Sequence, residues 1–366
     1  MKTTSGFVCG ALLALSASWP AGAGEIVDTY SSGDTLTATM MNNIKAAVND
    51  NNNTALRFYG DGSASDLNVV SGSSLHWFFN PVDNLNFRNV TIENGATLIV
   101  PAGTTIRCTG RFTNNGTIRV LYGGMGGYRS YAESIASGSW TYTGVTASPG
   151  DTGVSSSPGA LGTGDILEYG YGGSGIPRTV AAGAFMTFRW GGGGGSATRS
   201  RGTMAGGLLK VLCRGEIQNA VRGAIRAEGV SGGNGSGSGG GGGGIVVLAS
   251  VTGVVNEGHI GVPGGMGSRG STSSAAGGGG GGGIVILVAP EVNNTGTVDV
   301  SGGAAGYEDS TTGTATGMRY AGGGGGGSGG AGGNGGALNR SGVSVPAQDG
   351  ADGYLLEIRA NPATMM

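Results

Sequence analysis

The chain has 366 residues, 84 of them glycine, with 11% charged residues, 38% hydrophobic residues and a formal net charge of −2. So much glycine without a Gly-X-Y period excludes collagen, and this much aliphatic content with so little charge argues against a disordered chain. The near-neutral balance, with no basic cluster, argues against nucleic acid or an anionic membrane surface as a partner.

Residues 1–23 have the layout of a secretory signal peptide. Lys2 is followed by an apolar run from Phe7 to Trp19 and the small triplet Ala21-Gly22-Ala23. That run is too short to span a bilayer, and Cys9 has no lipobox around it. The expectation is a secreted, extracellular or cell-surface protein without a membrane span. In residues 24–57, Thr37 is a candidate helix N-cap, and Leu36, Met40, Ile44 and Val48 fall on one helical face. The Asn-rich stretch Asn49 to Asn53 is expected to end this short helix. Alone it cannot bury its apolar stripe, so it must pack on the neighbouring domain or self-associate.

Residues 58–120 begin a repeat. IENGATLIV from Ile92 and NNGTIRV from Asn114 each place a polar Asn-Gly turn before alternating apolar residues. QNAVRGAIRA from Gln218, VNEGHIGV from Val255 and NTGTVDV from Asn294 repeat the pattern. Apolar strands precede the later copies: LLKVLC at Leu208, IVVLA at Ile245, IVILVA at Ile284, and finally YLLEI at Tyr354. The glycines before them, Gly207, Gly244, Gly283 and Gly353, are spaced by 37, 39 and 70 residues, the last read as two units of 35. Two short strands and a turn at a fixed period predict a mainly β protein, a parallel β-solenoid with one unit per rung. An antiparallel sandwich with Gly-rich loops is the competing architecture.

Between rungs the chain makes Gly-rich excursions, which hold the runs Gly191–Gly195, Gly239–Gly244, Gly277–Gly283 and Gly322–Gly327. All leave after one strand and return before another, so they are expected on one side of the solenoid. There they can pack as parallel polyproline II or polyglycine helices. Loose linkers are the alternative.

The excursion at 121–206 differs from those in the repeat region 207–366. It is rich in aromatic rings and arginines, with Trp140, Trp190, Tyr169, Tyr171 and Arg189 as candidate ligand contacts. The same rings could instead form a private core for a long loop, and the sequence leaves both readings open. If this excursion joins adjacent rungs, Cys108 and Cys213 stack about 4.8 Å apart, a separation that permits a disulfide.

No catalytic constellation emerges. His76 and His259 are far apart and lack a zinc-binding pattern. The G-x-S-x-G string at 326–330 is expected by chance among so many glycines. Asp165 and Glu168 have no basic residue beside them in sequence. The expectation is no enzyme, no metal and no cofactor.

FYGDGSASDLNVVSG (Phe58 to Gly72), FRNVTIENGATLIVPAGTTIRCTGRFTNNGTIRV (Phe87 to Val120) and the elements GGGGGGIVVL and GGGGGGGIVIL together carry a resemblance. They look like the glycine-rich proteins of phage tails and bacterial surfaces, and are similar in style to polyglycine-sandwich adhesins at phage tail-fibre tips. A signal peptide departs from the phage pattern and favours a bacterial secreted protein. The resemblance implies an adhesin-like protein that binds a cell-surface glycan or protein. A self-assembling coat, fibre or matrix subunit is the alternative, and an ice- or mineral-binding surface a further one.

Overall fold

The computed structural model describes residues 37–123, 129–132, 141–144, 170–197, 202–233, 237–271, 274–307, 322–338 and 344–365. The signal-peptide segment, Trp140 and Tyr169 lie outside these residues.

The body is a three-sided parallel β-solenoid made of three six-stranded sheets. Face one stacks Asn86–Phe87, Thr104–Cys108, Leu208–Cys213, Ile245–Ser250, Ile284–Val288 and Tyr354–Ile358. Face two stacks Leu67–Val69, Val90–Ile92, Phe112–Asn114, Ile217–Asn219, Gly253–Asn256 and Glu291–Asn294. Face three stacks Ser74–His76, Thr97–Val100, Thr117–Val120, Ala224–Arg226, His259–Gly261 and Thr297–Asp299. Neighbouring strands within each face pair in parallel, which rules out the antiparallel sandwich.

The rung therefore has three strands where the repeat predicts two. The missing strand is the short run of face two, which in the later rungs ends in the turn asparagine, and three or four residues are too few to show an alternation of their own. That asparagine has a structural task. Asn114, Asn219 and Asn256 are fully buried, and each Nδ2 donates to the next Oδ1 at 2.8, 2.7 and 2.8 Å, ending on Asn294. The ladder starts where Asn114 Oδ1 accepts from the Gly116 N–H, and its last donor, Asn294 Nδ2, meets the Glu357 carboxylate at 3.2 Å. A polar file inside an apolar prism is tolerated because both of its ends are satisfied.

The strands of face one explain why IVILV is an uninterrupted apolar run. Leu209, Val211, Val246, Leu248, Val285 and Leu287 point into the prism. Leu208, Leu212, Ile245, Val247, Ile284 and Ile286 point outward, where they are covered by Phe58, Ala181, Phe185 and Phe188. A parallel sheet buried on both sides has no polar face to show.

The final spacing of 70 is not two units. Ile284 pairs directly with Tyr354, so a single rung step carries a long excursion, and the extra length lies in the glycine segments. Likewise the long insertion after Val120 leaves Cys108 in register with Cys213, and the two form a disulfide with Cα atoms 4.6 Å apart.

The N-terminal helix, Ala38–Tyr59, runs through the Asn-rich stretch rather than stopping at it. Asparagine is a weak helix former but costs only a few tenths of a kcal/mol per position, and the helix is anchored at its far end. Phe58 is fully buried against face one, and Gly60, at φ 72°, ends the helix. Thr37 caps the start by accepting from the Met40 N–H at 3.2 Å.

Candidate functional site

Beyond the corner between faces three and one, the Gly-rich excursions form an ordered layer of extended helices. The seven amides of Gly277–Gly283 show its construction. Gly277, Gly280 and Gly283 donate to carbonyls of Ser268, Gly265 and Val262. Gly278 and Gly281 donate to Gly323 and Gly326, and Gly279 and Gly282 to Gln348 and Ala351, all at 2.8–3.0 Å. Successive amides thus point to three different neighbours and return every third residue, the repeat of a polyproline II helix. The carbonyls of the same run accept from three further segments: from Gly240 and Gly243, from Gly303 and Gly306, and from Gly330 and Gly333, at 2.7–2.9 Å. One central strand with six hydrogen-bonded neighbours is hexagonal packing.

Such packing leaves no room for side chains. A Cβ on Gly277, Gly279, Gly280 or Gly281 would fall inside 3.0 Å of the carbonyl oxygens of Ser238, Gly303, Gly241 and Gly330 respectively. None of the glycines in this run has a positive φ, so glycine is required here for its missing Cβ and not for its φ range.

This layer and the solenoid edge position the candidate recognition residues. Residues 170–176 form one limb of the layer: Gly170, Gly173 and Ile176 donate to Gly322, Gly325 and Ser328. Tyr171 projects from that limb with 60% of its surface exposed. The limb is tied at its base, where Tyr354 Oη donates to the Ile176 carbonyl at 2.9 Å and Arg178 lies 5.1 Å over the Tyr354 ring. Burial pushes the Tyr354 phenol up to about 12, so it stays a donor across the ordinary pH range. Arg178 thus serves the scaffold.

The segment Phe185 to Trp190 splits its aromatic residues by role. Phe185 and Phe188 are buried on the outer side of face one, while Arg189 and Trp190 are exposed, the latter at 60%. Lys210, buried in the same layer, donates its Nζ to the Met186 carbonyl at 2.6 Å and so fixes the turn that precedes them. The Trp190 carbonyl abuts Gly123 and the Arg189 carbonyl abuts Gly103, so both residues sit at the base of the layer. Tyr171 stands five positions out from Ile176, about 15 Å at 3.1 Å per residue.

Phe185 and Phe188 also tie this excursion to the rungs. Without the two rings and Ala181, the outward leucines and isoleucines of face one would face water.

Two exposed features escape a residue-type scan of the excursion. Phe78 and Phe79, 61% and 74% exposed, meet edge to face with centroids 5.4 Å apart beside His76. On face three, Arg119 and Arg226 are exposed register partners on adjacent rungs. The aligned repeats TIRV and AIRA already place these two arginines at equivalent positions, which was the available signal. His259 occupies a rung position on the same face, its Nδ1 at 2.9 Å from Thr297 Oγ1.

Among the described residues there is no group of three or more His, Cys, Asp or Glu that could hold a metal ion, and no helix is long and apolar enough to cross a membrane. No family model matches the chain, and no curated protein or solved structure matches it either.

Proposed function

We propose that this chain is a secreted, non-enzymatic recognition protein of the cell surface or of a fibre, adhesin-like, whose ligand is a surface glycan or protein. The observation that supports this reading is the contrast at 170–197. Tyr171 and Trp190 are each 60% exposed on a backbone held by hydrogen bonds to the glycine layer, while Phe185 and Phe188 of the same excursion are buried. Rings pre-positioned on a rigid support lose little freedom on binding. A self-assembling subunit is the second reading, because the last strands of faces two and three leave an open sheet edge. That edge is blunted by Glu291, Asp299 and the Arg359 guanidinium, which donates to the Val292 carbonyl at 3.1 Å, so recognition is preferred.

A glycan array and whole-cell binding with the mature chain test the proposal. Trp190→Ala and Tyr171→Ala should each weaken binding while leaving the melting temperature within about 1 °C. A fully folded double variant that binds as the parent does would refute it, as would concentration-dependent polymers in size-exclusion chromatography with no ligand bound by either form.

A further inference from the structure

From the third face we infer a second binding site, independent of Tyr171 and Trp190: a track for a linear polysaccharide bearing one carboxylate per sugar. Outward positions on this face form two files along the solenoid axis. The first runs Thr97, Thr117, Ala224, His259, Thr297; the second runs Ile99, Arg119, Arg226, Gly261, Asp299. In the second file two arginines are therefore register partners on successive rungs, their strands about 4.8 Å apart.

The next rung continues the file with a ring from its neighbour. A Cβ on Gly261 would stand 2.6 Å from His259 Nε2, so the imidazole lies over the glycine and fills its slot. With Nδ1 engaged by Thr297, it is Nε2 that faces the arginine file. Three consecutive rungs thus carry an arginine, an arginine and the His259 imidazole at successive places of the file.

Like charges placed directly opposite each other destabilise a sheet, and burial gives no reason for the arginines to be there, since both are exposed. An anion lying along the file would relieve that repulsion. Guanidinium forks suit carboxylates, which they hold with paired hydrogen bonds. Tyr122, 41% exposed and with its Oη 3.5 Å from Arg119 Nη2, adds a ring beside the first arginine.

The groups that border the track set the charge density of the ligand. Glu228 holds Arg226 at 3.2 Å, and Asp299 closes the file beyond His259. These carboxylates repel a densely charged polymer such as duplex DNA, with a charge every ~1.7 Å. A polyuronate, with one carboxylate per ring, is less densely charged and suits a track that carries arginines on two successive rungs and an imidazole nitrogen beside the next.

Isothermal titration of the full chain with tetragalacturonate tests this. The parent should bind, Arg119→Gln and Arg226→Gln should each weaken binding at least tenfold, and His259→Gln should weaken it less. Glu228→Gln, which frees Arg226 from its carboxylate, should strengthen binding, and Trp190→Ala should leave it unchanged. Arg269→Gln, on the glycine layer, serves as the charge control. The track is overturned if the parent does not bind, if both face-three arginine variants bind as the parent does, or if Arg269→Gln loses as much as they do.

Discussion

Replacing Gly280 by alanine tests the glycine layer in its central strand. The new Cβ would fall inside 3.0 Å of the Gly241 carbonyl oxygen, which belongs to backbone and cannot swing away. Gly280 also donates to Gly265 at 2.9 Å and accepts from Gly303 at 2.7 Å, so pushing the segments apart strains bonds on both sides. Overpacking a close-packed interior costs about 1–3 kcal/mol, and each weakened hydrogen bond adds about 0.5–1.5 kcal/mol. Against this, alanine lowers the entropy of the unfolded chain by about 0.4–1 kcal/mol. The net expectation is a loss of roughly 3 kcal/mol. With an unfolding entropy of about 2.1 cal/mol/K per residue over ~340 residues, that is a fall of roughly 4 °C in melting temperature. Gly183 is the matched control: it lies exposed in the helix Arg178–Ala184 with nothing within 4 Å of its Cβ position, so Gly183→Ala should stabilise by about 0.5–1 kcal/mol. Calorimetry reads both, and hydrogen exchange over 277–283 should accelerate only in Gly280→Ala. If Gly280→Ala melts at or above the parent while the control behaves as stated, the hexagonal packing is wrong.

Three other expectations address the solenoid. Asn219→Leu removes the middle of the asparagine ladder, leaving Asn114 Nδ2 without its 2.8 Å partner and Asn256 Oδ1 without its donor; urea unfolding should register a loss of about 2–5 kcal/mol. The Cys108–Cys213 disulfide joins residues 105 apart, and the chain-entropy model assigns such a loop about 4–5 kcal/mol; thiol labelling of the denatured, unreduced chain should find neither cysteine free, and the double serine variant should unfold at lower urea. Hydrogen bonds from the Arg88 guanidinium, above all, hold the Asp66 carboxyl down to about 2 from its ordinary 3.8. Its contribution is therefore complete above pH ~4 and disappears as pH falls through about 2. A carboxyl NMR titration should place its midpoint there, and Arg88→Gln should return it toward the ordinary value.

The sequence by itself determined the solenoid, because a rung that cannot bury its own inward face must repeat, and the repeat is visible as Asn-Gly turns and apolar runs at a near-constant period. It also carried the polyglycine layer, since excursions leaving and returning at the same points must lie side by side. What it did not carry was the third strand of each rung, whose three or four residues are shorter than any readable alternation. Nor could it show that Ile284 pairs with Tyr354 across a long excursion, because spacing counts residues without saying which of them climb the axis. The roles of the aromatic residues were likewise undetermined: Phe185 and Phe188 bury themselves against the apolar outer side of face one, while Tyr171 and Trp190 remain exposed. The arginine file has the same origin. The aligned repeats mark the two arginines as equivalent, but stacking the rungs in register is what sets them side by side, with Gly261 making room for the ring of His259 in the next place.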